Sequence, residues 1–145
     1  MAGVWILTAD SEYARFLESS GSKGPLKELN TMVCASARQQ EQELVSDRPG
    51  RSFGRAGGGR HSMESGNDAK HIEAERFAKE IADYLESALE KKMFSRIVFV
   101  APPAFLGLLR GSISQRLKST VSQEIDKNIV RMELSELRKH LPERI

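Results

Sequence analysis

The stretch IVFVAPPAFLGLLR, from Ile97 to Arg110, decides the fold class. Ile97 to Val100 is a continuous apolar run with β-branched and aromatic residues. It is too short for a helix and reads as a buried strand. Ala101-Pro102-Pro103 ends the strand, and the second proline pre-sets φ for the first turn of a helix. Ala104, Phe105, Leu106, Leu108 and Leu109 give that helix its apolar face around Gly107, and the helical reading extends as far as Leu117. A strand buried on both faces and followed at once by a helix is the unit of a sheet with parallel neighbours.

Working outward, Val4 to Thr8 (VWILT) is a second buried strand, and Asp10-Ser11 marks a tight turn. Tyr13 to Glu18 alternates with period two, so it pairs back on the first strand. Gly21 to Pro25 is a loop, and Leu26 to Ala35 alternates loosely as a third strand at a sheet edge. Beyond residue 70, Phe77, Ile81, Tyr84 or Leu85, and Ala88 recur at helical spacing. Asn67-Asp68 reads as the cap of that helix, and Lys91-Lys92 suit the negative end of its dipole. Gln123 to Arg131 reads as the last strand, through Ile125, Ile129 and Val130. Leu134, Leu137 and Leu141 form a short amphipathic helix that Pro142 ends. The order β-β-β, loop, α, β, α, β, α predicts one α/β domain over residues 1–145, with a mixed β-sheet packed with helices.

The remaining segment, about 38–70, is read as a long Gly/Arg-rich loop. Ser46 to Gly66, SDRPGRSFGRAGGGRHSMESG, holds six of the chain's eleven glycines and four arginines. Loops longer than about 15 residues in compact domains are commonly functional or disordered. Consecutive glycines permit close backbone approach, and arginine donates planar, bidentate hydrogen bonds to phosphate. Arg48, Arg51, Arg55, Gly57, Gly58, Gly59, Arg60 and His61 are therefore candidate RNA- or anion-binding residues. The competing reading is a solvated loop whose arginines pair with Asp47 or Glu64. The segment lacks the Gly-Lys-Ser/Thr ending of a nucleotide-hydrolase phosphate loop.

Bulk properties bound the rest. A chain of 145 residues, 39% hydrophobic and 29% charged, fits a globular domain. Its formal net charge is only +2, so the location of positive charge matters more than its sum. No apolar stretch is long enough to span a bilayer. Met1 to Asp10 has no basic region or small-residue cleavage site and reads as a strand rather than a signal peptide. A single cysteine, Cys34, excludes an intramolecular disulfide and makes a reducing, cytoplasmic compartment the expectation. The three histidines and Cys34 show no metal-ligand spacing, and no cofactor motif is present. Asp10 ends the first strand and His61 lies among the glycines. They are the two catalytic candidates, Asp10 as a metal-binding carboxylate with Asp47 or Asp68 as loop partners, His61 as a general acid/base. The competing reading of Asp10 is a turn cap. Arg110, on the helix after the buried strand, is a candidate anion contact at a sheet crevice.

Trp5 with Ala9-Asp10, SDRPGR (Ser46 to Arg51), GRH (Gly59 to His61), ERFAKEIADYL (Glu75 to Leu85) and VAPPAFLGLLR (Val100 to Arg110) occur in this order. In this the chain resembles the bacterial host-attachment protein family, over nearly its whole length. That family is similar in turn to the middle domain of eukaryotic and archaeal translation release factors. The resemblance implies a ribonuclease-H-like sheet with a glycine-rich loop between an early strand and the first long helix. In release factors that loop ends in Gly-Gly-Gln and enters the peptidyl-transferase centre of the ribosome. Here the matching position reads Gly57-Gly58-Gly59-Arg60, without glutamine. Family members commonly carry a Lys-Asp-Leu-Thr-like stretch in the last strand, and here it reads Lys127-Asn128-Ile129-Val130. The resemblance implies the ribosome, rRNA or tRNA as partner. The family's name implies a role in host attachment through a protein or surface partner. A hydrolase acting on peptidyl-tRNA or RNA is the third class.

Overall fold

Alternation and burial divide the sheet's two faces. A computed structural model describes residues 3–19, 25–35, 37 and 53–142, with the backbone alone considered over 53–68. Five strands, β1 (Gly3–Ala9), β2 (Tyr13–Ser19), β3 (Leu26–Val33), β4 (Phe94–Ala101) and β5 (Val121–Asp126), form one sheet in the order β3-β2-β1-β4-β5. β1, β2 and β3 make an antiparallel meander, while β4 lies parallel to β1 and β5 parallel to β4. This is the mixed α/β sheet predicted from sequence, with β3 at an edge. Its order is compatible with the ribonuclease-H-like arrangement the resemblance implies.

Trp5, Leu7, Ala9, Phe16, Ile97 and Phe99 point to one face of the sheet. The long helix α1 (Phe53–Glu90), α2 (Pro103–Ser112) and the single turn α3 (Gln115–Lys118) cover that face. Among the described residues of α1, Ala74, Phe77, Ala78, Ile81, Ala82, Leu85 and Ala88 are buried, at three- and four-residue spacing. Small residues at 74, 78 and 82 let the helix approach closely. Aromatic rings fill the space between layers, Trp5 against Phe94 at 4.9 Å and Phe16 against Tyr84 at 4.4 Å. Ile6, Leu17, Val98 and Val100 point to the opposite face, where Ile129 and the short helix α4 (Leu134–Lys139) cover them. Among the described residues no helix is long and apolar enough to cross a membrane.

Four boundaries differ from the sequence reading. Helix α1 begins at Phe53, so the backbone from Phe53 to Lys70 is helical where a loop was expected, and Asn67-Asp68 lie inside the helix rather than at its cap. The rest of that segment, 38–52, lies outside the described residues. Each glycine in a helix interior costs about 1 kcal/mol, but extending a helix already fixed by packing needs no new nucleus. Strand β3 ends at Val33, where its pairing with Tyr13 ends. Strand β5 ends at Asp126 opposite Ala101; beyond it β4 continues into Pro102, which has no N–H to offer. Ile129 and Val130 are buried in the turn that follows instead. Helix α2 stops at Ser112 because Ile113 is extended and Ser114 starts α3, accepting the Leu117 N–H at 3.1 Å. Glu86 of α1 holds that turn, accepting from both the N–H and the hydroxyl of Ser114.

The C-terminus of α1 has an unusual cap. Met93 N–H donates to Ala88 O and Lys92 N–H to Leu89 O, both at 2.9 Å. This pair of bonds is a Schellman motif, whose left-handed position normally holds glycine. Here it holds Lys92, at φ 59°. A side chain there costs about 1–2 kcal/mol, partly offset by the extra entropy glycine loses on folding. Lys92→Gly is therefore expected to stabilise the protein by about 0.5–1 kcal/mol, read as a rise in midpoint on thermal unfolding.

Candidate nucleic-acid interface

Because β1, β4 and β5 run parallel, their carboxyl ends share one edge of the sheet, the usual side for a ligand crevice. Asp10 stands there. Its Oδ1 accepts from the N–H groups of Glu12 and Tyr13, both at 2.8 Å, and its own N–H donates to Tyr13 O. Asp10 is thus the capping residue of the β1–β2 turn. Beside it a cleft of about 460 Å³ is lined by Asp10, Asn128, Ile129, Arg131 and Met132. Asn128 brings an amide, not a second carboxylate, to that cleft. Among the described residues no three His, Cys, Asp or Glu side chains gather as a metal set. Of the loop partners considered for Asp10, Asp47 lies outside the described residues and Asp68 is placed only as backbone on α1.

The arginines of this edge are engaged. Arg15 projects from β2, its side chain 13% exposed, and forks onto Glu28 of β3 with Nη2 to Oε1 at 2.8 Å and Nε to Oε2 at 3.2 Å. Its Nη1 donates to the carbonyls of Val130 and Met132, tying the turn after β5 to the hairpin. The Arg15 hydrogen bonds hold the Glu28 carboxyl below the usual carboxylate range, and Thr31 adds a third bond. Arg131 pairs with Glu12 at 2.9 Å and lies over the Tyr13 ring at 4.2 Å. Sequence reading found none of these four charged residues. Arg15 and Val130 are 115 residues apart, and no local spacing announces such a contact.

Arg110 does lie beside a crevice, of about 460 Å³, with Ile113, Lys118 and Val121 to Glu124. Its guanidinium is held by Glu124 Oε1, with Nε at 2.8 Å, and that hydrogen bond raises its pKa. An external anion at Arg110 would compete with Glu124. Cys34 is buried just past β3 and accepts from Ala37 N–H at 3.4 Å, which marks it as structural. His71 is exposed on α1, 3.8 Å from Glu75 one turn on.

The Gly/Arg segment departs from the same carboxyl edge, because β3 ends beside Tyr13. It returns as α1, 38 residues long, or about 57 Å at 1.5 Å per residue. Ala74 is the first buried residue of α1 among those whose burial is described, and Ala69 to Ile72 are exposed. Arg48 and Arg51 lie outside the described residues. Arg55, Gly57, Gly58, Gly59, Arg60 and His61 fall on the α1 backbone in its first three turns. Positions 60 and 61 stand about 140° and 240° round the axis from 55, so the helix does not gather them on one stripe.

The model of a family described as "Protein required for attachment to host cells" matches residues 5–141. The chain belongs to that family. Among solved structures, this host-attachment-family chain is similar to an archaeal translation termination factor, aRF1, with a TM-score of 0.50 and 14% identity. The match covers 97% of this chain and 35% of that one. The family member described here therefore spans about a third of the termination factor's chain, and at this identity the likeness shows the fold alone. No curated protein matches the sequence.

Proposed function

We propose that this host-attachment-family chain is an RNA- or ribosome-binding module that works in the cytoplasm through its Gly/Arg segment. The reading rests on one conjunction. A segment rich in glycine and arginine runs into the first long helix and forms its opening turns, toward the carboxyl edge of a sheet whose fold resembles a translation termination factor. Arg48, Arg51, Arg55 and Arg60 would contact phosphates, and Gly57 to Gly59 would let the backbone approach them. In this reading Asp10 serves the fold, and His61 contributes to contact rather than catalysis.

The test is binding of single-stranded RNA and of ribosomes across a salt series. Neutralising four phosphates on a single strand contributes about 3 units to the log–log salt slope. Replacing the four arginines by alanine is expected to remove that contribution and leave the thermal midpoint unchanged. Equal affinity and slope in native and variant chains would sink the reading. The family's description favours a second one, in which the chain supports attachment to host cells through a protein or surface partner. Recovery of the protein outside the cell on fractionation would favour that reading over a cytoplasmic role.

A further inference from the structure

The opposite, amino edge of the sheet carries cations with a different character. Lys91 and Lys92 follow the end of α1, and Arg116 and Lys118 belong to α3, while Arg96, the third residue of β4 and the partner of Val4, lies on the other face of the sheet. The two helices pack on the same face of the sheet and are linked where Glu86 of α1 accepts from the N–H and hydroxyl of Ser114, at the start of α3. All five cations are exposed, and among the described residues none has a carboxylate within ion-pair distance. Arg15, Arg110 and Arg131 elsewhere on the sheet are each paired. The acids nearest in the chain are Glu90, which is exposed, Glu86, which is occupied by Ser114, and Glu124, which lines a crevice with Lys118 but is held by Arg110.

Lysines at a helix C-terminus are ordinary complements of its dipole. Lys92 is not ordinary, because it occupies the one position of the turn where a side chain is strained. Strain kept at a charged, solvent-facing residue points to a use for the charge. We infer that Lys91, Lys92, Arg116 and Lys118 form a second phosphate-backbone contact for RNA, at the far end of the sheet from the Gly/Arg segment. The choice of RNA as the polyanion rests on the function proposed above; the surface itself does not. A lipid surface fits less well, because binding there calls for an apolar face, and the edge exposes a single large apolar side chain, Met93.

The experiment uses the full chain and a single-stranded oligouridylate of about 20 nucleotides, long enough to reach more than one site. Lys92→Gly alone is expected to raise the thermal midpoint by about 2–3 °C while making the salt slope shallower by about 0.7. A merely structural Lys92 would raise the midpoint and leave the slope alone. The triple variant Lys92→Gly, Arg116→Gln, Lys118→Gln is expected to lose about 2 units of slope. An unchanged slope in the triple variant, with the arginine-segment variant still impaired, overturns the second contact and leaves the proposed function standing. A shallower slope in the triple variant with no effect of the segment arginines supports the second contact and rejects the segment. No RNA binding by the native chain removes both. Native binding to phosphatidylglycerol vesicles in place of RNA overturns RNA as the partner of this edge.

Discussion

Arg15→Ala is expected to cost about 2 kcal/mol of folding stability, from an ion pair whose Glu28 side meets water and two part-buried carbonyls that lose a charged donor. In a chain of this length that is a fall of about 5–7 °C in thermal midpoint. The size of the effect follows from what is stranded. Glu28 loses both guanidinium bonds, and the carbonyls of Val130 and Met132 lose their donor. Arg15→Lys retains the charge but cannot fork onto a carboxylate and two carbonyls, so it is expected to recover less than half of the loss. The pair also sets a pH dependence. Glu28 has a lowered pKa in the folded state, so its contribution is complete above the ordinary carboxylate value and is lost as pH falls through the lowered folded value. Arg15→Ala is therefore expected to flatten the acid limb of stability below about pH 4.5, measured by urea unfolding at a series of pH values. An acid limb as steep as the native one would show that other carboxylates govern it.

Phe77→Ala is expected to cost about 4 kcal/mol, the range for deleting a buried aromatic side chain. Phe77 is 1% exposed and faces the Phe105 ring at 6.1 Å. It is where α1, which carries the Gly/Arg segment at its amino end, is fixed against α2. Where this variant does not accumulate, Phe77→Leu serves, with an expected loss of about 1–2 kcal/mol. RNA affinity per folded molecule should be unchanged in Phe77→Leu, while the four-arginine variant should show the converse pattern. A variant that weakens RNA binding in proportion to stability would instead make the packed half of α1 part of the interface.

The sequence was informative where one face or both faces of an element are buried. Ile97 to Val100 and Val4 to Thr8 read as core strands because no side of them meets water, and Phe77, Ile81 and Leu85 marked α1 by period alone. The reading failed where the local pattern and the tertiary contact disagree. Ile129 and Val130 looked like the end of a strand, but their burial is beneath the sheet, after Pro102 has ended the ladder. The helical start at Phe53 was hidden by glycines whose propensity opposes it. At the carboxyl edge, Asp10 was legible as a turn cap. The Arg15–Glu28 and Arg131–Glu12 pairs join residues far apart in the chain and left no trace in spacing. The amino-edge cations were legible only as a helix-terminal pair, because nothing in the sequence shows that Glu86 of α1 holds Ser114 at the start of α3.

The central claim is that RNA contacts the Gly/Arg segment. Amide hydrogen exchange across the whole chain, with and without single-stranded RNA or ribosomes, tests it most directly. Exchange from Arg48 through His61 is expected to slow on addition of RNA, an effect absent in the four-arginine variant, with the strands β1 and β4 unchanged. Exchange over residues 48–61 that is the same with and without RNA, while RNA is bound, would contradict it.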